Sequence, residues 1–113
     1  MQGLRLLLRP ILMLSVIVLM IGSLTPSNGL GVPSMNDKML HFTAYAFVGI
    51  LAIIAFERTS NRVRLLLSLT ALGVALEFGQ LFVPGRAFEF WDMAANSCGT
   101  LAAFTTARIF PSV

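Results

Sequence analysis

The stretch LLLSLTALGVALEFGQLFV, Leu65 to Val83, has the length and composition of a membrane-crossing helix. Crossing ~30 Å of hydrocarbon as a helix takes about 20 residues, with ~17 as the lower end. The stretch lacks the strict apolar–polar alternation of a barrel strand. It also carries Glu77 and Gln80, which lipid would not accept cheaply. Three further apolar runs lie around it: Leu4 to Leu24, Met39 to Phe56 and Met93 to Ile109. Four segments cannot close a membrane barrel, which needs at least about eight strands. The expectation is an all-α membrane protein: one domain, residues 1–113, forming a four-transmembrane-helix bundle with helices near 4–24, 39–56, 65–83 and 93–109.

Composition points the same way. Apolar residues make up 57% of the 113 and charged residues only 12%, about half the soluble norm of ~25%. Mean hydropathy is +0.85. So small a soluble domain could not hide that much apolar surface. A soluble enzyme, a disordered tail and a disulfide-stapled secreted module are thereby excluded. Cys98 is the single cysteine, and it reads as a small buried hydrophobe. The pI near 10.0 does not indicate nucleic acid, because the net charge is only +3 and no basic stripe is present.

The connectors are polar. Thr25 to Asn36 holds Pro26, Gly29, Gly31 and Pro33 and reads as loop. Glu57 to Arg64 is a charged connector, and Pro84-Gly85 signals a turn. The first run could be a secretory signal, but Ile21-Gly22-Ser23-Leu24 is a poor cleavage site, so it reads as a retained helix. Pro10 suits a first helical turn, where no N–H is needed. Arg5, Arg9, Arg58, Arg62, Arg64 and Arg108 fall on one side, against Lys38 and Arg86 on the other. This bias predicts both termini in the cytoplasm, in a multi-pass protein of the bacterial cytoplasmic membrane.

With that topology, the ionisable groups inside the membrane's limits gather in its outer half. Asp37, Lys38 and His41 open the second helix. Glu77 and Gln80 close the third, and Arg86, Asp92 and Asn96 lead into the fourth. Residues four apart share a helical face, which pairs Asp37 with His41 and Asp92 with Asn96. Glu77 lies roughly 9 Å along the axis from Val83. A carboxylate there costs at least ~2.5 kcal/mol if it faces lipid, so it should turn inward and find a partner. Arg86 and His41 are the candidate partners. Ala71, Ala75 and Gly79, with Ala95, Gly99 and Ala103, form small-residue rows that would let helices 3 and 4 approach closely.

Plainer readings stand beside these. Ser34-x-x-Asp37 is a capping pattern, Asp92 could cap the fourth helix, and Arg86 could anchor at the interface. Asn96 could be interhelical glue. No HExxH or CxxC spacing supports a metal site, and no glycine-flanked nucleophile supports a hydrolase.

The pattern Asp37-Lys38-x-x-His41-Phe42, Glu77-x-x-Gln80, Pro84-Gly85-Arg86 and Asp92-x-x-x-Asn96-x-x-Gly99 resembles the VanZ-like family of small bacterial membrane proteins. The resemblance covers residues 37 to 99. Its named member is associated with teicoplanin resistance, so the resemblance implies a cell-envelope role without supplying a mechanism. Ala103 stands where the family often has glycine.

The expected function is an envelope factor with an outward-facing polar site, linked through the resemblance to glycopeptide resistance. The alternative is a membrane-embedded enzyme or lipid-handling protein acting on an anionic envelope lipid. His41 and Glu77 are the acid–base candidates. Asp37, Lys38, Gln80, Arg86, Asp92 and Asn96 are the ligand-binding candidates. No metal or cofactor is expected. Partners are membrane lipids and an envelope lipid or glycopeptide ligand, with no nucleic acid.

Overall fold

The computed structural model describes residues 1–25 and 35–110. Of the loop expected from Thr25 to Asn36, residues 26–34, Ser34 of the capping pattern among them, lie outside the described residues, and Met35 and Asn36 already belong to the second helix. The order is α1 (Gln2–Leu24), α2 (Met35–Ala55), α3 (Thr59–Gly79) with a 3-10 turn at Gln80–Phe82, and α4 (Phe90–Thr105) with a 3-10 turn at Thr106–Arg108. Among the described residues there is no strand.

Gln2–Leu24, Asp37–Ala55 and Thr59–Phe82 are long and apolar enough to cross a membrane. α4 has 16 residues, about 24 Å of helix, and falls short of that length alone. The bundle is elongated, 45 × 23 × 20 Å, and its length is close to a whole bilayer with its headgroups, ≈ 40–45 Å.

α1 and α3 run one way, and α2 and α4 the other. The start of α1 meets the end of α2, where Arg5 Nη1 donates to the Ile54 carbonyl at 3.1 Å. The starts of α2 and α4 meet through Lys38 and Asp92, 2.9 Å apart. α2 is central, and α4 packs chiefly on it. Tyr45, Val48, Leu51, Ala52 and Ala55 form its core with Leu12 and Leu69. A second cluster joins Ile53, Leu66 and Ala103. Large apolar side chains cover the outside: Leu7, Ile17, Phe47, Leu67 and Leu101 are all exposed. Such a coat suits hydrocarbon as the surrounding solvent.

All four helices begin before their apolar runs. α3 starts at Thr59 rather than Leu65, because Arg62 is not a solvated connector residue. Only 1% exposed, it donates from Nε to the Phe56 carbonyl (2.7 Å) and from Nη1 to that of Phe110 (2.8 Å). α2 starts at Met35 with Asp37 in its first turn, where the helix dipole favours a carboxylate. α4 starts at Phe90 and closes its α-helical part at Thr105, earlier than Ile109.

Three expectations are corrected. α1 begins at Gln2, so Pro10 sits inside the helix rather than in its first turn. The helix continues upstream because Arg5, and Arg9 at 3.5 Å, reach the last carbonyls of α2 from there. The small row of α4 packs against α2 rather than α3. A Cβ on Gly99 would strike the Phe42 carbonyl oxygen and lie 3.0 Å from the Ala46 nitrogen, and one on Gly49 would meet the Cβ of Ala103. On α3, Ala71 and Ala75 face outward, and the close approach is made by Gly73 against Tyr45 and Asn96. Cys98 is exposed, since α4 buries the opposite stripe of Asp92, Asn96, Gly99 and Ala103.

Candidate functional site

The first turns of α2 present two neighbouring faces. Lys38 looks toward α4, where its ammonium pairs with Glu89 and with Asp92 Oδ1 at 2.9 Å. Asp37 and His41, one turn apart, line a cavity beside α1. His41 also reaches across to α4. Its Nδ1 lies 2.8 Å from Asn96 Oδ1, and its Nε2 lies 3.6 Å from Asp92 Oδ2. The Asn96 contact fixes the plane of the imidazole. Asp92 and Asn96 are 6% and 3% exposed, so the α4 side of this network is inside the bundle, while the side chains of Lys38 and His41 are 20% and 19% exposed.

Glu77 is 1% exposed, turned inward from α3 as its cost in lipid requires. Its Oε1 accepts the backbone N–H of Glu89, the N-cap of α4, at 2.7 Å. It therefore supplies from another helix what a capping box supplies locally. It is not among the residues lining the cavity.

Arg86 does not reach Glu77. Pro84-Gly85 forms the expected turn: the Arg86 N–H bonds the Val83 carbonyl, and Gly85 takes φ 75°, as a type II turn requires. This swings Arg86 to the end of α1. There Nε donates to the Thr25 carbonyl at 2.9 Å and Nη2 to that of Gly22 at 3.0 Å. Gln80 Nε2 donates to the Ser23 carbonyl at 3.1 Å. Two side chains thus satisfy the orphan carbonyls that end a helix.

The cavity between α1 and α2 has a volume of about 270 Å³. Asp37, His41, Gln80, Arg86 and Tyr45 line its polar part, and Val18, Leu19 and Leu40 its apolar part. Of the residues singled out from sequence, Asp37, His41, Gln80 and Arg86 therefore share one cavity. Lys38, Asp92 and Asn96 form the polar wall behind His41, and Glu77 holds the start of α4.

Two participants were not singled out. Glu89 neutralises Lys38 beside Asp92, and its spacing of three from Asp92 marks a shared face. Tyr45, 1% exposed, lies one turn below His41 and stacks against Gly73.

In the comparisons with curated proteins and with solved structures nothing matches. A family does match, over residues 7–111, nearly the whole chain. The match spans every residue of the network and of the cavity, and by it the chain belongs to the VanZ/LLP1 family.

Proposed function

We propose that this chain is a multi-pass protein of the bacterial cytoplasmic membrane whose four helices all cross, with both termini in the cytoplasm. Its polar end is an outward-facing binding site for an envelope ligand. The course of α4 supports a fourth crossing. Asp92 meets Lys38 at one end of the bundle, and Phe110 meets Arg62 at the other. Arg5, Arg9 and Arg62 gather at the second end, which the positive-inside rule assigns to the cytoplasm.

The observation that carries the site is the cavity at the opposite end, where an imidazole held by Asn96 shares a wall with Asp37, Gln80 and Arg86. Polar groups so held, around a concave space with apolar walls, suit binding. Family membership supports an envelope role, and the phenotype this reading predicts is tolerance of glycopeptide antibiotics of the teicoplanin type.

One observation favours a second reading, a membrane-embedded enzyme or lipid-handling protein. The imidazole of His41, a group able to exchange protons, lines the same cavity as Arg86.

The test is complementation of a strain lacking the gene, read as glycopeptide tolerance together with membrane abundance. His41→Gln is expected to lose the phenotype at normal abundance. A full phenotype in His41→Gln at normal abundance would overturn the site.

A further inference from the structure

We propose that the cleft between α1 and α2 seats one zwitterionic phospholipid, its phosphate on Arg86, its ammonium on Asp37 and one acyl chain in the groove below. This rests on the polar end being a binding site and names its ligand.

The first support is shape. The polar cavity continues into a second, apolar one of about 300 Å³ that runs down the same face between α1 and α2, and Val18, Leu19 and Ala44 line both. From Gly22 at the polar end to Ile11 at the far end is about 16 Å along the helix axis. One leaflet is half of the ~30 Å hydrocarbon core. The seat is thus polar at a headgroup's depth and apolar for the depth of one leaflet. It is open sideways as well, since Leu14, Val18, Leu40 and Phe47 on its walls are exposed.

The second support is charge. Lys38 is neutralised by Glu89 and Asp92 and is not among the residues lining the cavity. Arg86 does line it, and its guanidinium bonds two neutral carbonyls and, among the described residues, no carboxylate. Its full charge is available to a phosphate. Asp37 brings one carboxylate to the same space. One cation and one anion on the walls match a headgroup that carries one of each, whereas an anionic headgroup would leave Asp37 opposed by like charge.

The test is native mass spectrometry of the full chain released from vesicles of equal phosphatidylethanolamine and phosphatidylglycerol. The expected result is one retained lipid per chain, with phosphatidylethanolamine preferred. Val18→Trp plugs the groove from an exposed position without touching the core, and should abolish retention. Arg86→Gln should lower it about tenfold, the loss of one charged hydrogen bond. Asp37→Asn should turn the preference toward phosphatidylglycerol. Leu67→Trp, on the far side of the bundle, should change nothing. Absence of retained lipid, equal retention in Val18→Trp and wild type, a loss in Leu67→Trp equal to that in Val18→Trp, or a wild-type preference for phosphatidylglycerol would each overturn the proposal. The measurement does not depend on which leaflet the seat faces. A reversed topology would therefore overturn the outward reading and leave the seat standing, while loss of the seat in an outward-facing protein would do the opposite.

Discussion

The Glu77 carboxylate on α3 accepts the backbone N–H of Glu89 at 2.7 Å and so ties the start of α4 to the end of α3. A negative charge at a helix N-terminus is also favoured by the dipole. Glu77→Gln keeps an acceptor oxygen of the same reach, whereas Glu77→Ala leaves a donor unsatisfied, at about 1–3 kcal/mol. Thermal unfolding in detergent should therefore show a clear loss for Glu77→Ala and a smaller one for Glu77→Gln. Equal loss in both would mean that the charge rather than the hydrogen bond holds α4.

Gly99 lies where α4 meets the α2 backbone, and any side chain there strikes the Phe42 carbonyl oxygen. Backbone cannot yield as a side-chain tip can. Gly99→Ala should cost about 1–3 kcal/mol as overpacking, and Gly99→Leu more. At Gly79, among the described residues, a new Cβ would meet only the flexible end of Leu24, at 3.2 Å. Gly79→Ala should be tolerated. The yield of monodisperse protein on size exclusion would rank the three variants; Gly79→Ala failing as badly as Gly99→Leu would contradict this packing.

The four helices were legible because each apolar run is long and the chain is poor in charge. Their starts were not, because hydropathy penalises Arg62 even though its guanidinium serves buried carbonyls. The gathering of Asp37 with His41 and of Asp92 with Asn96 follows from four-residue spacing, and the structure has each pair on one face. The partner of the α4 small row was hidden. Glycine spacing says that a helix comes close without saying which helix, and the long α2–α4 contact depends on two helices running parallel, which no local pattern records. Arg86 was legible as a functional position but not its contacts, since carbonyls at the end of α1 carry no side-chain signature.

Arg62 closes the end of the bundle opposite the cavity, bonding the Phe56 and Phe110 carbonyls while 1% exposed. Arg62→Gln cannot span both acceptors and should lower stability by about 1–3 kcal/mol. Arg58→Gln, at an exposed position, should stay within about 0.5 kcal/mol of wild type. Melting curves of the two variants in one detergent test this directly, and coincident curves would contradict the role of Arg62.

Lys38 is held between Glu89 and Asp92, with Asp92 at 2.9 Å. Lys38→Met strands two carboxylates in a partly buried place, which should lower stability, by less than the ~3–5 kcal/mol of a fully buried pair. Adding Asp92→Asn should recover part of that loss, because one of the stranded charges is gone. A double-mutant cycle on thermal stability would show this as coupling between the two sites. Strict additivity would mean that the pair contributes nothing.

Orientation has the widest consequence. Arg5 and Arg9 reach the last carbonyls of α2, and Arg62 reaches that of Phe56 just beyond it. These arginines therefore cap helices as well as bias topology, and the six-to-two count of Lys and Arg mixes two causes. Capping needs only a donor at the right place, whereas the topological rule needs positive charge in the short connectors. Arg58 and Arg64 are exposed and, among the described residues, neither donates to a helix-end carbonyl, so they serve the second. Reporter fusions after Asn61 should be cytoplasmic, and fusions after Gly85 extracytoplasmic. Replacing both Arg58 and Arg64 by Gln should weaken this orientation without a matching loss of thermal stability, while Arg62→Gln should lower stability more than it changes orientation. A cytoplasmic reporter at Gly85 in the wild-type chain would turn the cavity inward and remove the envelope ligand from its reach.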